Sequence, residues 1–269
     1  MKKLFPALRS VYICIMFALL YLPVAVMIIL SFNKSGSYYE WGGFSFDRYI
    51  SLFNNRIIMD ALGTTVVLGI SSAAIATILG TVACVGLLSM KKKLESLITT
   101  VGNIPLLNAD IVTGISLMLF FTGIFGRMSN ATLLISHVTL IMPYVVLNVF
   151  PKLKQFDKSI YQAALDLGAS PIKAFFKVIL PDILPSVLTG FLLALTISID
   201  DFTITYFTKG QGLNTLSTLI YTNRARGIQP EYFAMASIMF IAVLIMILVI
   251  QVVNMRSTVK HSVRKEKNY

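Results

Sequence analysis

Charge is scarce in this chain. Only 13% of its 269 residues are Asp, Glu, Lys or Arg, while 56% are hydrophobic; soluble domains carry about 25% charged residues. Such a chain cannot hide its apolar surface in one aqueous core, so lipid is its expected solvent. Acids are the scarcer sign: 12 Asp and Glu stand against 23 Lys and Arg, a formal net charge of +11. In a soluble protein that excess would point to nucleic acid. Here the basic residues form short clusters between apolar runs, which marks a membrane topology signal and leaves no nucleic-acid partner. Cysteine is almost missing. Cys14 and Cys84 both lie in apolar stretches, which excludes a disulfide framework and reads as two small core residues. No G-x-x-x-x-G-K-S/T pattern occurs, so the chain lacks the phosphate-binding loop needed to hydrolyse ATP by that machinery.

What is present is a set of long apolar runs. Crossing about 30 Å of hydrocarbon takes about 20 residues, and runs of that order lie near 10–31, 61–88, 99–124, 131–151, 181–207 and 232–255. The reading is an all-α membrane protein with six transmembrane helices in a single domain over 1–269. The third and fifth runs carry polar residues, so their limits are softer. The first follows Lys2, Lys3 and Arg9 as a signal peptide would. It is too long for a signal core and no small-x-small site precedes Asn33, so it reads as a retained helix. In the second run Gly69, Ser72, Ala73, Ala76 and Gly80 have the spacing of small residues that lets helices approach closely.

Orientation follows from the basic residues between runs. With the N-terminus inside, sixteen Lys and Arg fall on the inner side and seven on the outer. Cytoplasmic loops are enriched in Lys and Arg, so both termini are expected in the cytoplasm. The basic tail from Lys260 to Lys267, with His261, then meets anionic headgroups.

The inner segment 157–181 is the most informative. Ser159 with Gln162 fits a capping box that starts a short helix. Gly168 is a natural stop, since glycine tolerates positive φ at a helix C-terminus. Ser170 and Pro171 restart a helix as cap and first residue, which enters the next span at Leu180-Pro181. A rigid bent pair of helices suits docking into a cleft of a partner.

At these residues a family resemblance appears. Ala163-Ala164-x-x-x-Gly168, then nine residues, then Val178-x-Leu180-Pro181 resembles the EAA loop of bacterial ABC importer permeases of the binding-protein-dependent, type I (MetI-like) family. Gln162 stands where that family usually has glutamate, and Val178 where it has isoleucine; the first change keeps a capping group and loses a charge. Leu106-x-x-Ala109-Asp110-Ile111-Val112, Ser136-His137 with Pro143-Tyr144-Val145-Val146, and Ser198-x-Asp200-Asp201 are similar to permeases of spermidine/putrescine importers. The resemblance implies a five-helix core with an added N-terminal helix. It also implies one half of a permease pair, an ABC ATPase dimer and an external solute-binding protein. Segment 157–181 would be the coupling helix that fits the ATPase, with Gln162, Ala163, Ala164, Gly168, Val178, Leu180 and Pro181 as coupling residues. Such a chain is a transport subunit and no enzyme; it binds no cofactor or metal itself, and ATP is used by its partners.

The membrane acids fit that picture. A carboxylate in a span costs roughly 2.5–3.5 kcal/mol on insertion scales unless it faces protein, water or a cation. Asp110 is expected near mid-membrane, and Asp200 and Asp201 nearer the outer face. All three are candidates for a pathway that attracts a cationic polyamine; their alternative role is to cap broken helices. Thr196, Asp200 and Thr203 share one stripe, and Ser198, Asp201 and Thr205 another. Periodicity does not choose between them. Tyr38, Tyr39, Glu40 and Trp41 combine aromatic faces with an acid and suit an ammonium, although aromatics at this height also anchor at the interface. His137 is expected to pack between helices. A secondary transporter would show internal repeats and paired discontinuous helices, and no clear repeat is present. An intramembrane aspartyl protease would need a glycine-rich setting, whereas Asp200 follows Ser198-Ile199.

Overall fold

The computed structural model describes residues 4–35, 39–223 and 229–266, and side chains within 11–252 of these. Helix dominates. In chain order the helices are α1 (Leu4–Ser31), α2 (Asp47–Asn54), α3 (Arg56–Leu88), α4 (Lys92–Gly102), α5 (Ile104–Leu107) and α6 (Asp110–Phe125). They continue as α7 (Asn130–Lys154), α8 (Lys158–Asp166) and α9 (Pro171–Ala174), a π-turn over Phe175–Ile179, then α10 (Leu180–Asp200), α11 (Thr203–Thr208), α12 (Leu216–Asn223) and α13 (Glu231–Glu266). Extended pairing among the described residues is limited to one antiparallel bridge, Asn33 with Phe44.

Five stretches are long and apolar enough to cross a membrane: Val11–Ser31, Arg56–Leu88, Asn130–Lys154, Pro171–Asp200 and Glu231–Val252. Asp110–Phe125 is a shorter apolar helix, about 24 Å long at 1.5 Å per residue. The chain is a multi-pass membrane protein.

Two expected spans are divided. The run 99–124 is broken at Asn103 and again at Asn108–Ala109, where ψ reaches 149° and 134°. Pro105 sits at the start of α5, the place where its missing N–H and fixed φ fit a fresh helix, so α4 ends at Gly102. Of that run only Asp110–Phe125 forms an apolar helix of several turns. The run 181–207 ends as a helix at Asp200, because Asp201 is extended (ψ 126°). Its carboxylate accepts the backbone N–H groups of Ile204 at 3.2 Å and Thr205 at 2.8 Å, a local bond that competes with helix continuation and starts α11.

The chain gathers into two compact units, a finer grouping than one domain over 1–269. One comprises Met1–Met59 and Ile220–Val243, the other Asp60–Leu219 and Leu244–Tyr269. In the larger unit the core is built from Ala73, Ala76 and Cys84 of α3, Ile141, Val145 and Val149 of α7, and Ile183 and Ala194 of α10. The small residues of α3 act as expected: a Cβ on Gly80 would come within 3.0 Å of Val145 Cγ1, and one on Gly69 within 2.9 Å of Ile199 Cγ1. The helices approach that closely because nothing larger stands there. Cys84 is a buried core residue, but Cys14 is exposed on α1, because that helix is apolar on every side and buries none of its hydrophobic stretch within the chain.

In the smaller unit Arg48 is buried. Its guanidinium donates to the carbonyl oxygens of Ser35 and Pro230, which ties α2 to the segment before α13.

Candidate functional site: a bent helix pair and an acidic elbow

Helix α8 begins two residues earlier than a Ser159–Gln162 box implies. Asp157 is the cap, its Oδ1 accepting the Ser159 N–H at 2.9 Å. That bond holds the exposed Asp157 carboxyl below the usual carboxylate range, since it favours the charged form. The helix stops at Gly168, whose φ is +85°. Gly168 N–H bonds Leu165 O at 2.8 Å and Ala169 N–H bonds Ala164 O at 3.1 Å, the closing bonds of a glycine-terminated helix. Ser170 then caps α9 by accepting from Lys173 N–H at 3.4 Å, with Pro171 first in the helix.

Beyond α9 the chain widens into the π-turn. Pro181 in a regular α-helix would drive its ring into the carbonyl of Lys177, and the wider turn before it relieves that clash; such turns recur at functional sites. Helix α9, the π-turn and α10 thus form one rod, Pro171–Asp200. Gln162, Ala163 and Gly168 are exposed, Ala164, Val178 and Leu180 half-buried, and Pro181 exposed. Leu167 is 89% and Ile172 73% exposed, on either side of the glycine bend. Two ion pairs steady the neighbouring helix ends: Lys152 with Asp182 at 3.6 Å, and Lys154 with Glu95. Lys154 also lies 4.6 Å over the Phe150 ring.

At the far end of the rod the acids separate. Asp200 is exposed on the last turn of α10, whereas the Asp201 side chain is only 5% exposed. Besides capping α11, Asp201 Oδ2 accepts the Thr205 hydroxyl at 2.9 Å and lies 3.6 Å from His137 Nε2. His137, fully buried on α7, reaches Ser198 Oγ through Nδ1 at 2.8 Å and Thr205 Oγ1 through Nε2 at 2.9 Å. Thr205 spends its proton on Asp201, so its oxygen accepts from Nε2–H; in the neutral ring Nδ1 then accepts from Ser198. Ser198 Oγ is also 2.9 Å from Ser72 Oγ of α3. This network clasps α3, α7, α10 and α11 around the break. Its Ser–His–Asp order offers no nucleophile, because Ser198 is buried and already shared.

Sequence reasoning placed Ser198, Asp201 and Thr205 on one stripe and missed what joins them. The available signal was a lone histidine inside a span, where an unpaired polar group is costly. Asp110 is exposed in the first turn of α6, where a carboxylate complements the positive end of the helix dipole. Gly114, one turn on, would place a Cβ 3.5 Å from Thr203 O and 3.0 Å from Phe207 Cδ2. Asp110 thus lies one helical turn before the residue of α6 that meets α11, and Asp200 three residues before α11 begins. Glu40 and Trp41 are exposed in the smaller unit. Tyr38 lies outside the described residues, as do the side chains of the tail from Lys260 to Lys267.

The family profile described as "Binding-protein-dependent transport system inner membrane component" matches residues 2–259. The chain belongs to that family. Among curated proteins, this permease is 32% identical to the spermidine/putrescine transport system permease protein PotC of Haemophilus influenzae. That match covers 93% of this chain and 97% of the relative. It is 35% identical to the putrescine transport system permease protein PotI of Escherichia coli K12, over 87% and 86%. Among solved structures, a chain of a bacterial ABC transporter that imports the polysaccharide alginate superposes with a TM-score of 0.69, at 14% identity and 96% coverage of both chains. At that identity the match speaks for the fold, and the fold of the permease is that of an ABC importer.

Proposed function

We propose that this permease forms half of the membrane pathway of a polyamine importer, taking up putrescine or spermidine. A second permease completes the pathway, an ABC ATPase dimer drives it, and an external binding protein supplies the cargo. The permease binds no cofactor, and both its termini lie in the cytoplasm. The observation that carries the reading is the bent element α8–Gly168–α9. It leaves Leu167 and Ile172 uncovered and runs without a break into the rod that ends at Asp200. An ATPase cleft closing on the bend would move that rod as a lever, because its helical hydrogen bonds transmit displacement along the axis.

Two relatives of about one-third identity are named for polyamines, and the acids suit such cargo. A polyamine carries several ammonium groups on an apolar chain, and acids set in apolar surroundings attract it strongly. Asp200 and Asp110 are exposed and free to meet it, while the Asp201 oxygens are engaged in the clasp. Asp200 is therefore the first pathway acid and Asp201 a positioning residue; Tyr38, Glu40 and Trp41 remain candidates for an outer vestibule.

Uptake of labelled putrescine and spermidine by the reconstituted complex tests this. Asp200→Asn should lower initial uptake at least several-fold with assembly retained, and Asp201→Asn, which keeps a capping side chain, should lower it less. Full uptake in an Asp110→Asn, Asp200→Asn double variant would remove these acids from the pathway. Intact coupled ATPase activity with no polyamine uptake by the unaltered complex would assign the permease to another solute.

A further inference from the structure

Helix α2 has three distinct faces. Arg48 and Leu52 are buried at 7% and 2% exposure. Asp47, Ser51 and Asn54 form a polar exposed stripe. Phe46, just before the helix, with Ile50 and Phe53 forms a third stripe, apolar and exposed, at the 4,3 spacing of one helical face; Ile50 is 58% and Phe53 60% exposed. A helix in water has no use for that third face.

Its depth is set by α1. The Tyr49 hydroxyl is 2.8 Å from Ser31 Oγ, at the last residue of α1. Phe32, the next residue, stacks on Phe44 at 5.0 Å and packs against Phe46 at 5.5 Å and Tyr49 at 5.1 Å. The apolar surface of α1 is left uncovered by the rest of the chain and ends at Ser31. Helix α2 is thus fixed beside the end of that uncovered apolar stretch. Aromatic rings gather at this height in membrane proteins. A short helix with separate polar and apolar sides lies in the interface plane with its apolar side among the upper acyl carbons.

We propose that α2 is an interfacial helix whose Phe46, Ile50 and Phe53 insert into the leaflet reached by the C-terminal end of α1, so that the bilayer and no protein partner covers this face. The buried Arg48, held by Ser35 and Pro230 carbonyls, then couples the segment before α13 to the membrane surface.

Nitroxide labels at Ile50→Cys, Phe53→Cys and Ser51→Cys, each with Cys14→Ser and Cys84→Ala, report the environment directly. The full importer complex, its other subunits cleared of reactive cysteines, is reconstituted in phosphatidylethanolamine–phosphatidylglycerol vesicles. Collision rates with oxygen, which partitions into lipid, are compared with those of a water-soluble nickel chelate. Labels at 50 and 53 should favour oxygen, and the label at 51 should favour nickel. Nickel preference at 50 and 53 would put the face in water, and shielding from both reagents would put it under a protein partner; either result overturns the proposal.

Discussion

A single buried ring decides much of the site. His137 satisfies both nitrogens on hydroxyls from either side of the α10–α11 break, Ser198 and Thr205. Replacing it with alanine leaves those hydroxyls short of a partner and opens space beside Asp201. Each unsatisfied buried group costs about 1–3 kcal/mol. The expected result for His137→Ala is a clearly lower thermal midpoint of the purified complex, together with reduced uptake as the elbow carrying Asp200 loosens. His137→Gln, which keeps one donor and one acceptor, should recover part of both. A ring that merely filled space would be replaced as well by leucine, so a His137→Leu variant matching wild type in uptake would contradict the positioning role. This residue was visible in the sequence only as a histidine among apolar neighbours. Its partners lie 61 and 68 residues away, a distance that no periodicity bridges.

At the scale of elements, the local geometry of segment 157–181 was legible almost in full. Gly168 and the Ser170-Pro171 pair use local chemistry, positive φ and capping, that depends little on the rest of the fold. The start of α8 at Asp157 was misplaced by two residues because serine and aspartate are comparable caps, and only the backbone path selects one. The π-turn was not foreseen, since it answers a clash created by Pro181 within a rod whose continuity is tertiary. The exposed Leu167 and Ile172 carry a prediction here. Leu167→Asp or Ile172→Asp should leave folding unchanged, because neither side chain packs within the chain. Either should still lower transport-coupled ATPase activity of the complex by an order of magnitude or so, as expected for charging an apolar docking position (about 1.4 kcal/mol per tenfold). Wild-type coupling in the double variant would mean that the ATPase docks elsewhere.

For the whole molecule the main prediction is topological. If sixteen inner against seven outer basic residues set the orientation, cysteines at Ser51 and Leu167 lie on opposite sides of the membrane. A membrane-impermeant thiol reagent applied to intact cells should label Ser51→Cys alone, and inverted vesicles should label Leu167→Cys alone. Labelling of Leu167→Cys from outside would reverse the topology and remove the coupling surface from the ATPase side. Hydrophobic runs located the long apolar helices, yet they joined segments that the fold separates. Runs 99–124 and 181–207 look continuous because composition records apolarity and not backbone hydrogen bonding.

Composition, run length and the glycine-proline punctuation of 157–181 determined by themselves that this is a multi-helix membrane protein with a bent helical segment before its α10 rod. Those properties rest on solvent transfer and local backbone chemistry, which act residue by residue. Only the tertiary structure decided which acid is exposed and which is spent. Asp200 and Asp201 are neighbours of identical chemistry, and a single extended residue sends one outward and folds the other into the His137 clasp. Burial and hydrogen bonding depend on what other helices bring to the same place, and that information is held by the packed chain alone.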